Sequence, residues 1–219
     1  MLSESTGNMN KYTQPNYQSS ALITIDTQRD TLDGQPLEIA GTSAVLPNMR
    51  VLLEHFRKNS KPIIHIVRIY KRDGSNVDLC RREEIESGAQ IFLEGTSGCE
   101  LATEMFRHHV ELQTDLLLSG NIQKIGNNEI VIYKPRWGAF FNTPLESHLN
   151  RRGVNTVVFA GCNFPNCPRT SIYEASERDF KVVLVEDAVS GLYPKGIEEM
   201  LNIGVQPMNT EAVCKAIIA

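Results

Sequence analysis

Apolar residues in this chain gather into short runs, separated by polar stretches in which apolar positions recur with helical spacing. The runs Ala21–Ile25, Ile63–Ile69, Glu129–Tyr133, Val154–Ala160 and Lys181–Val185 have the length and β-branched content of buried strands. Between the first two, Val45, Leu46, Met49, Leu52, Leu53 and Phe56 share one face of a helix that Thr42 or Ser43 can cap and Lys61-Pro62 closes. Strand, helix and strand in succession predict a βαβ unit and therefore parallel pairing. Further along, Thr143-Pro144-Leu145-Glu146 places Thr at the N-cap, Pro at N1 and Glu at N3 of another helix. Ser171–Phe180, Ile197–Leu201 and a segment capped by Asn209 or Thr210 and running through Ile217 predict three more, Leu101–Val110 a short one, and Gly204-Val205 a short strand or turn. The alternation predicts an α/β fold, doubly wound and Rossmann-like, with a mostly parallel sheet of about six strands and helices on both faces.

Two regions lack periodicity. Residues 1–19 predict a flexible N-terminal arm or a tail that wraps a neighbouring subunit, which leaves 20–219 as a single domain. Tyr70–Glu100 is a long polar excursion, and excursions of this length tend either to be functional or to hold subunits together, although a solvated surface loop fits as well.

Composition narrows the classes. With 41% hydrophobic and 22% charged residues the chain is of ordinary globular type, and a net charge of -4 with scattered Lys and Arg offers no footprint for nucleic acid. No apolar run is long enough to cross a bilayer, and the polar first 20 residues carry no signal core, so a cytoplasmic protein is expected. The five cysteines are odd in number and unpatterned, which suits a reducing compartment. Neither Cys-x-x-Cys nor paired-histidine spacing occurs, and the adjacent His108 and His109 cannot face one another on a helix, so no metal and no cofactor are expected. His65, inside an apolar run, predicts a hydrogen-bonded core histidine.

Candidate chemistry lies at strand ends. Gly161–Ser171 connects an apolar run to a helix, and Pro168, with its fixed φ and missing N–H, places Cys167 at the N-cap. Unpaired N–H groups and the helix dipole there favour a thiolate and can also receive an oxyanion. A buried packing cysteine is the competing reading. Asp26 follows the first strand and Lys134 follows Glu129–Tyr133; taken singly, each also fits an ordinary loop acid or a solvated lysine. In a doubly wound sheet, however, such strand ends converge on one crevice, and thiol, base and cation are what nucleophilic catalysis needs.

At Leu22–Asp30, at Tyr133-Lys134-Pro135-Arg136 with Phe140, and at Gly161–Thr170 leading into Glu186-Asp187-Ala188, the chain resembles the isochorismatase-like cysteine hydrolase superfamily. The resemblance runs in segment order from about Ala21 to Ala219. It implies a catalytic triad of Asp26, Lys134 and Cys167 in an amidase-type hydrolase of small molecules, and a homo-oligomer, dimer or tetramer. It also implies a cis peptide at Cys162-Asn163 that aims the N–H groups of Asn163 and Cys167 at an oxyanion. Isochorismatases proper lack the nucleophilic cysteine. Nicotinamidases carry an Asp-x-His metal site where this chain has Ile66-Val67-Arg68-Ile69-Tyr70-Lys71. Metal-independent carbon–nitrogen hydrolysis is therefore expected, with Arg68, Tyr70, Arg72, Trp137 and Phe140 as pocket residues and an acidic amide, carbamoyl compound or ureide as substrate. Ether or ester hydrolysis at the same site, and a catalytically silent binding scaffold, are the rival readings.

Overall fold

The computed structural model describes residues 10–218. Each apolar run becomes a strand and two short edge strands join them, giving β1 (Ser20–Ile25), β2 (Ile63–Val67), β3 (Gln123–Lys124), β4 (Glu129–Tyr133), β5 (Thr156–Gly161), β6 (Lys181–Val189) and β7 (Gln206–Met208). The helices are α1 (Thr42–Lys58), α2 (Arg82–Glu86), α3 (Thr114–Leu118), α4 (Leu145–Arg151), α5 (Cys167–Ser176), α6 (Pro194–Asn202) and α7 (Thr210–Ile218). The strands form one seven-stranded sheet in the order β3-β4-β2-β1-β5-β6-β7, parallel throughout except for the β3–β4 pair. Edge strands of two and three residues are too brief to leave a period-2 pattern, which is why the sequence predicts about six.

All six residues of β1 are buried, as expected of a parallel strand covered on both faces. Ala21, Ile23 and Ile25 pack with Leu145, Ile172 and Met200 of α4, α5 and α6, whereas Leu22 packs with Leu52 and Phe56 of α1 and Val213 of α7. Burying each such side chain contributes about 2 kcal/mol.

Some expectations fail locally, each for a visible reason. No α-helix forms over Leu101–Val110, because the backbone there is claimed by the loop after β1: Ala102 N–H donates to Thr27 carbonyl at 3.0 Å and Arg29 N–H to Glu100 carbonyl at 2.9 Å. Only a 3-10 turn, Thr103–Met105, remains. The N-cap of α1 is Gly41 rather than Thr42 or Ser43, since the Asp33 carboxylate reaches over to accept from the N–H groups of Gly41 and Ser43. Of the expected N-terminal arm, residues 1–9 lie outside the described residues. Residues 10–19 run against the domain, with Asn16 N–H donating to Thr156 Oγ1 at 2.9 Å and Tyr17 OH to Met208 Sδ at 2.8 Å.

His65 is a hydrogen-bonded core histidine, with Nδ1 2.7 Å from Thr24 Oγ1 and Nε2 2.8 Å from Glu129 Oε1. Arg57 binds both oxygens of Glu129, at 2.7 and 2.9 Å. Burial alone would raise the Glu129 pKa, but the hydrogen bonds and charges of Arg57 and His65 outweigh it and hold the carboxyl at about 2. A depressed carboxylate stabilises the fold above its unfolded pKa and loses that contribution as pH falls through the folded one. Glu129→Gln is therefore expected to lower the unfolding free energy by on the order of 2 kcal/mol at neutral pH, with the deficit closing between about pH 4.5 and 2. Urea unfolding of both proteins across that range checks it, and a deficit that stays constant with pH contradicts it.

Candidate active site

The sheet order changes direction at β1, which has β2 on one side and β5 on the other, and a crevice opens at the carboxyl ends of these strands. Asp26 sits there, one residue past β1. Its backbone has φ +46°, a left-handed conformation that is disfavoured for a residue with a Cβ. Three bonds hold it: Asp26 N–H donates to Ile66 carbonyl at 2.9 Å, and its own carbonyl accepts from Thr31 Oγ1 and from Cys162 Sγ, both at 3.2 Å. Gly161 closes the end of β5 against β1 at φ +120°, where an added Cβ would lie 2.3 Å from Ile25 carbonyl oxygen. No other residue type fits that approach.

β4 lies two strands away from β1, and Lys134 spans the gap. Its side chain is fully buried, and the ammonium meets Asp26 Oδ2 at 2.9 Å, Cys167 Sγ at 3.2 Å and Arg136 carbonyl at 3.2 Å. Three donors thus find three partners. Cys167 begins α5, so its N–H has no carbonyl within its own helix to donate to. Lys134 therefore touches both the expected acid and the expected thiol. Among the described residues, Asp26 Oδ1 is buried and finds no hydrogen-bond partner within bonding distance.

Beside the cluster lies a narrow cavity of about 20 Å³, lined by Asp26, Arg68, Arg81, Trp137, Asn163 and Cys167 among others. Arg68 is anchored by Asp78, with Nη1 3.1 Å from Oδ2, and Tyr70 OH donates to the same oxygen at 2.7 Å. Gln28 fixes the Arg68 backbone, accepting from its N–H and donating to its carbonyl, both at 2.7 Å. Burial works against the charge of Arg68, but the carboxylates of Asp26 and Asp78 outweigh it and raise its pKa.

Several expectations are corrected here. The Cys162-Asn163 peptide is trans; the turn gets its sharpness from Gly161 and from Asn166, which has φ −115° and ψ −104°. Asn166, not Cys167, is the N-cap of α5. The Cys167 thiol is not acidified: burial first, then the charge of Asp26, push its pKa up to about 11 against the pull of Lys134 and Arg68. Of the expected pocket residues, Arg68 and Trp137 line the cavity. Tyr70 serves instead as a buried support of Asp78, and Arg72 is exposed and bonds to Glu94. Phe140 turns into the core against Phe180, its N–H held by Glu174 Oε2 at 2.8 Å. Sequence reasoning missed Asp78, Arg81 and Phe92, because nothing local in an aperiodic stretch says which side chains turn inward.

The isochorismatase domain model matches residues 20–212. A probable inactive nicotinamidase of Arabidopsis thaliana is 29% identical over 197 residues, covering 87% of this chain and 92% of that protein. Among solved structures, an isochorismatase family protein from Desulfovibrio vulgaris superposes with a TM-score of 0.77 at 28% identity, covering 92% of this chain and 99% of the other. N-carbamoylsarcosine amidase from Thermoplasma acidophilum does so with a TM-score of 0.68 at 20% identity over 88% and 97%, a likeness of fold.

A thiol whose pKa is raised reacts as a free nucleophile only as pH climbs. Alkylation of Cys167, followed by peptide mass spectrometry, is expected to keep accelerating from neutral pH to at least about pH 10. A rate that levels off near pH 7 contradicts the neutral-thiol resting state.

Proposed function

The chain belongs to the isochorismatase family, and we propose that it is a cysteine hydrolase that cleaves a carbon–nitrogen bond of a small amide, carbamoyl compound or ureide. One observation carries this reading: a single buried ammonium lies within 3.2 Å of both the carboxylate of Asp26 and the sulfur of Cys167. A packing cysteine needs no such neighbours, and a buried ion pair without a task is an expensive way to fill a core. The amidase among its structural neighbours supports the bond class.

In the proposed reaction the thiol starts protonated, which the raised pKa favours. The Cys167 sulfur attacks the carbonyl carbon as its proton passes to Asp26, whose Oδ1 is free to take it. The oxyanion is received by the Cys167 N–H, which has no carbonyl within its own helix to donate to, with Asn163 beside it on the cavity wall. Asp26 returns the proton to the leaving nitrogen, the carbon–nitrogen bond breaks and a thioester remains. Water, giving its proton to Asp26, attacks the thioester, and the thiol leaves with that proton restored. Lys134 balances the charge of Asp26 and of the sulfur as the proton moves between them. No step calls on a metal. The five free cysteines fit a cytoplasmic setting.

Ammonia release from a panel of amides, carbamoyl compounds and ureides tests the assignment. Cys167→Ala and Asp26→Asn are each expected to lose about 10⁴-fold or more of the wild-type rate. Lys134→Met is expected to lose at least about 100-fold, and also to unfold more readily by about 3 kcal/mol, because it leaves Asp26 buried without its partner. Turnover by Cys167→Ala equal to that of wild type contradicts the nucleophile assignment.

A further inference from the structure

The charges around the cavity do not cancel. Asp26 is matched by Lys134 at 2.9 Å and Arg68 by Asp78 at 3.1 Å, and both pairs are buried. One charged group on the cavity wall has no counterpart: among the described residues, Arg81 forms neither an ion pair nor a side-chain hydrogen bond. It is held by aromatic faces instead, its guanidinium carbon 5.8 Å from the ring centre of Trp137 and 5.7 Å from that of Phe92. The Arg68 guanidinium lies 5.9 Å from the same Trp137 ring. Aromatic faces keep a guanidinium in place and leave its N–H fork unspent, ready for a planar oxyanion.

From this arrangement we propose that Arg81 is the specificity residue of the cavity and that it binds a carboxylate on the substrate, so that the molecules hydrolysed are anionic amides, carbamoyl compounds or ureides. The substrate class rests on the cysteine hydrolase reading above; the anion site at Arg81 does not. The carboxylate takes the Arg81 fork beside the Trp137 ring, while the scissile carbonyl faces Cys167 on the same wall. Arg68 is less available, because its Nη1 already meets both oxygens of Asp78. Its fixed charge adds to the field that draws an anion in. The cavity's narrowness limits the partner to a small acid.

The test needs no known substrate. Iodoacetate and iodoacetamide carry the same reactive carbon and differ by one charge. Their alkylation rates at Cys167 are measured by peptide mass spectrometry in wild type, Arg81→Gln and Arg81→Lys. The ratio of the iodoacetate rate to the iodoacetamide rate is expected to fall about tenfold in Arg81→Gln and to be partly restored in Arg81→Lys. The iodoacetamide rate stays near that of wild type in all three, showing an intact site. A ratio within about twofold of wild type in Arg81→Gln overturns the proposal. So does failure of both reagents to modify Cys167, since a cavity closed to a two-carbon acid cannot bind one beside the thiol. Loss of the cysteine hydrolase reading would show separately, as unchanged turnover in Cys167→Ala.

Discussion

A lysine ammonium sealed from solvent has to be met by charge and by acceptors, and Lys134 imposes that requirement on the whole carboxyl edge of the sheet. Removing one member of a buried ion pair costs about 3 to 5 kcal/mol, so the position of Asp26 is fixed by energy as well as by connectivity. The demand runs outward. Asp26 faces Lys134 from a left-handed backbone, and that backbone is held by Ile66, Thr31 and Cys162. Cys162 is in place because Gly161 lets β5 close against Ile25, and the same turn delivers Cys167 to the start of α5.

The electrostatics of the cluster match the direction of proton flow in the proposed reaction. A thiol with a raised pKa beside a carboxylate gives its proton up only when an electrophile makes the sulfur's charge useful, and the nearby ammonium and guanidinium then stabilise what forms. A resting thiolate would be more exposed to oxidation and random alkylation. In the proposed reaction the site thus keeps its reactivity latent. Asp26 Oδ1, buried without a hydrogen bond, is a group whose cost makes sense if it handles protons.

Much of this was legible in the residues. Buried parallel strands leave continuous apolar runs, so β1, β2, β4, β5 and β6 stand out, and the strand-end positions of Asp26, Lys134 and Cys167 follow from them. What the residues concealed was tertiary in origin. Leu101–Val110 has a helix former's composition, but its first backbone groups pair with the loop after β1. The Cys167 pKa follows burial and the charge of Asp26 rather than the helix terminus, and burial depth at a turn has no local signature. The placements of Phe140 and Arg81 were concealed for the same reason: one turns into the core against Phe180 and the other into the cavity, from segments with no periodicity to show which way.

In the proposed reaction the Cys167 sulfur becomes covalently bonded to the acyl group of a substrate. Rapid quenching of the enzyme during turnover of an amide it hydrolyses, followed by intact and peptide mass spectrometry, addresses that bond itself. The account predicts a mass increase equal to the acyl fragment, located on the peptide containing Cys167 and removed by hydroxylamine, as a thioester is. A pre-steady-state burst of ammonia with Cys167 unmodified at every quench time would contradict it.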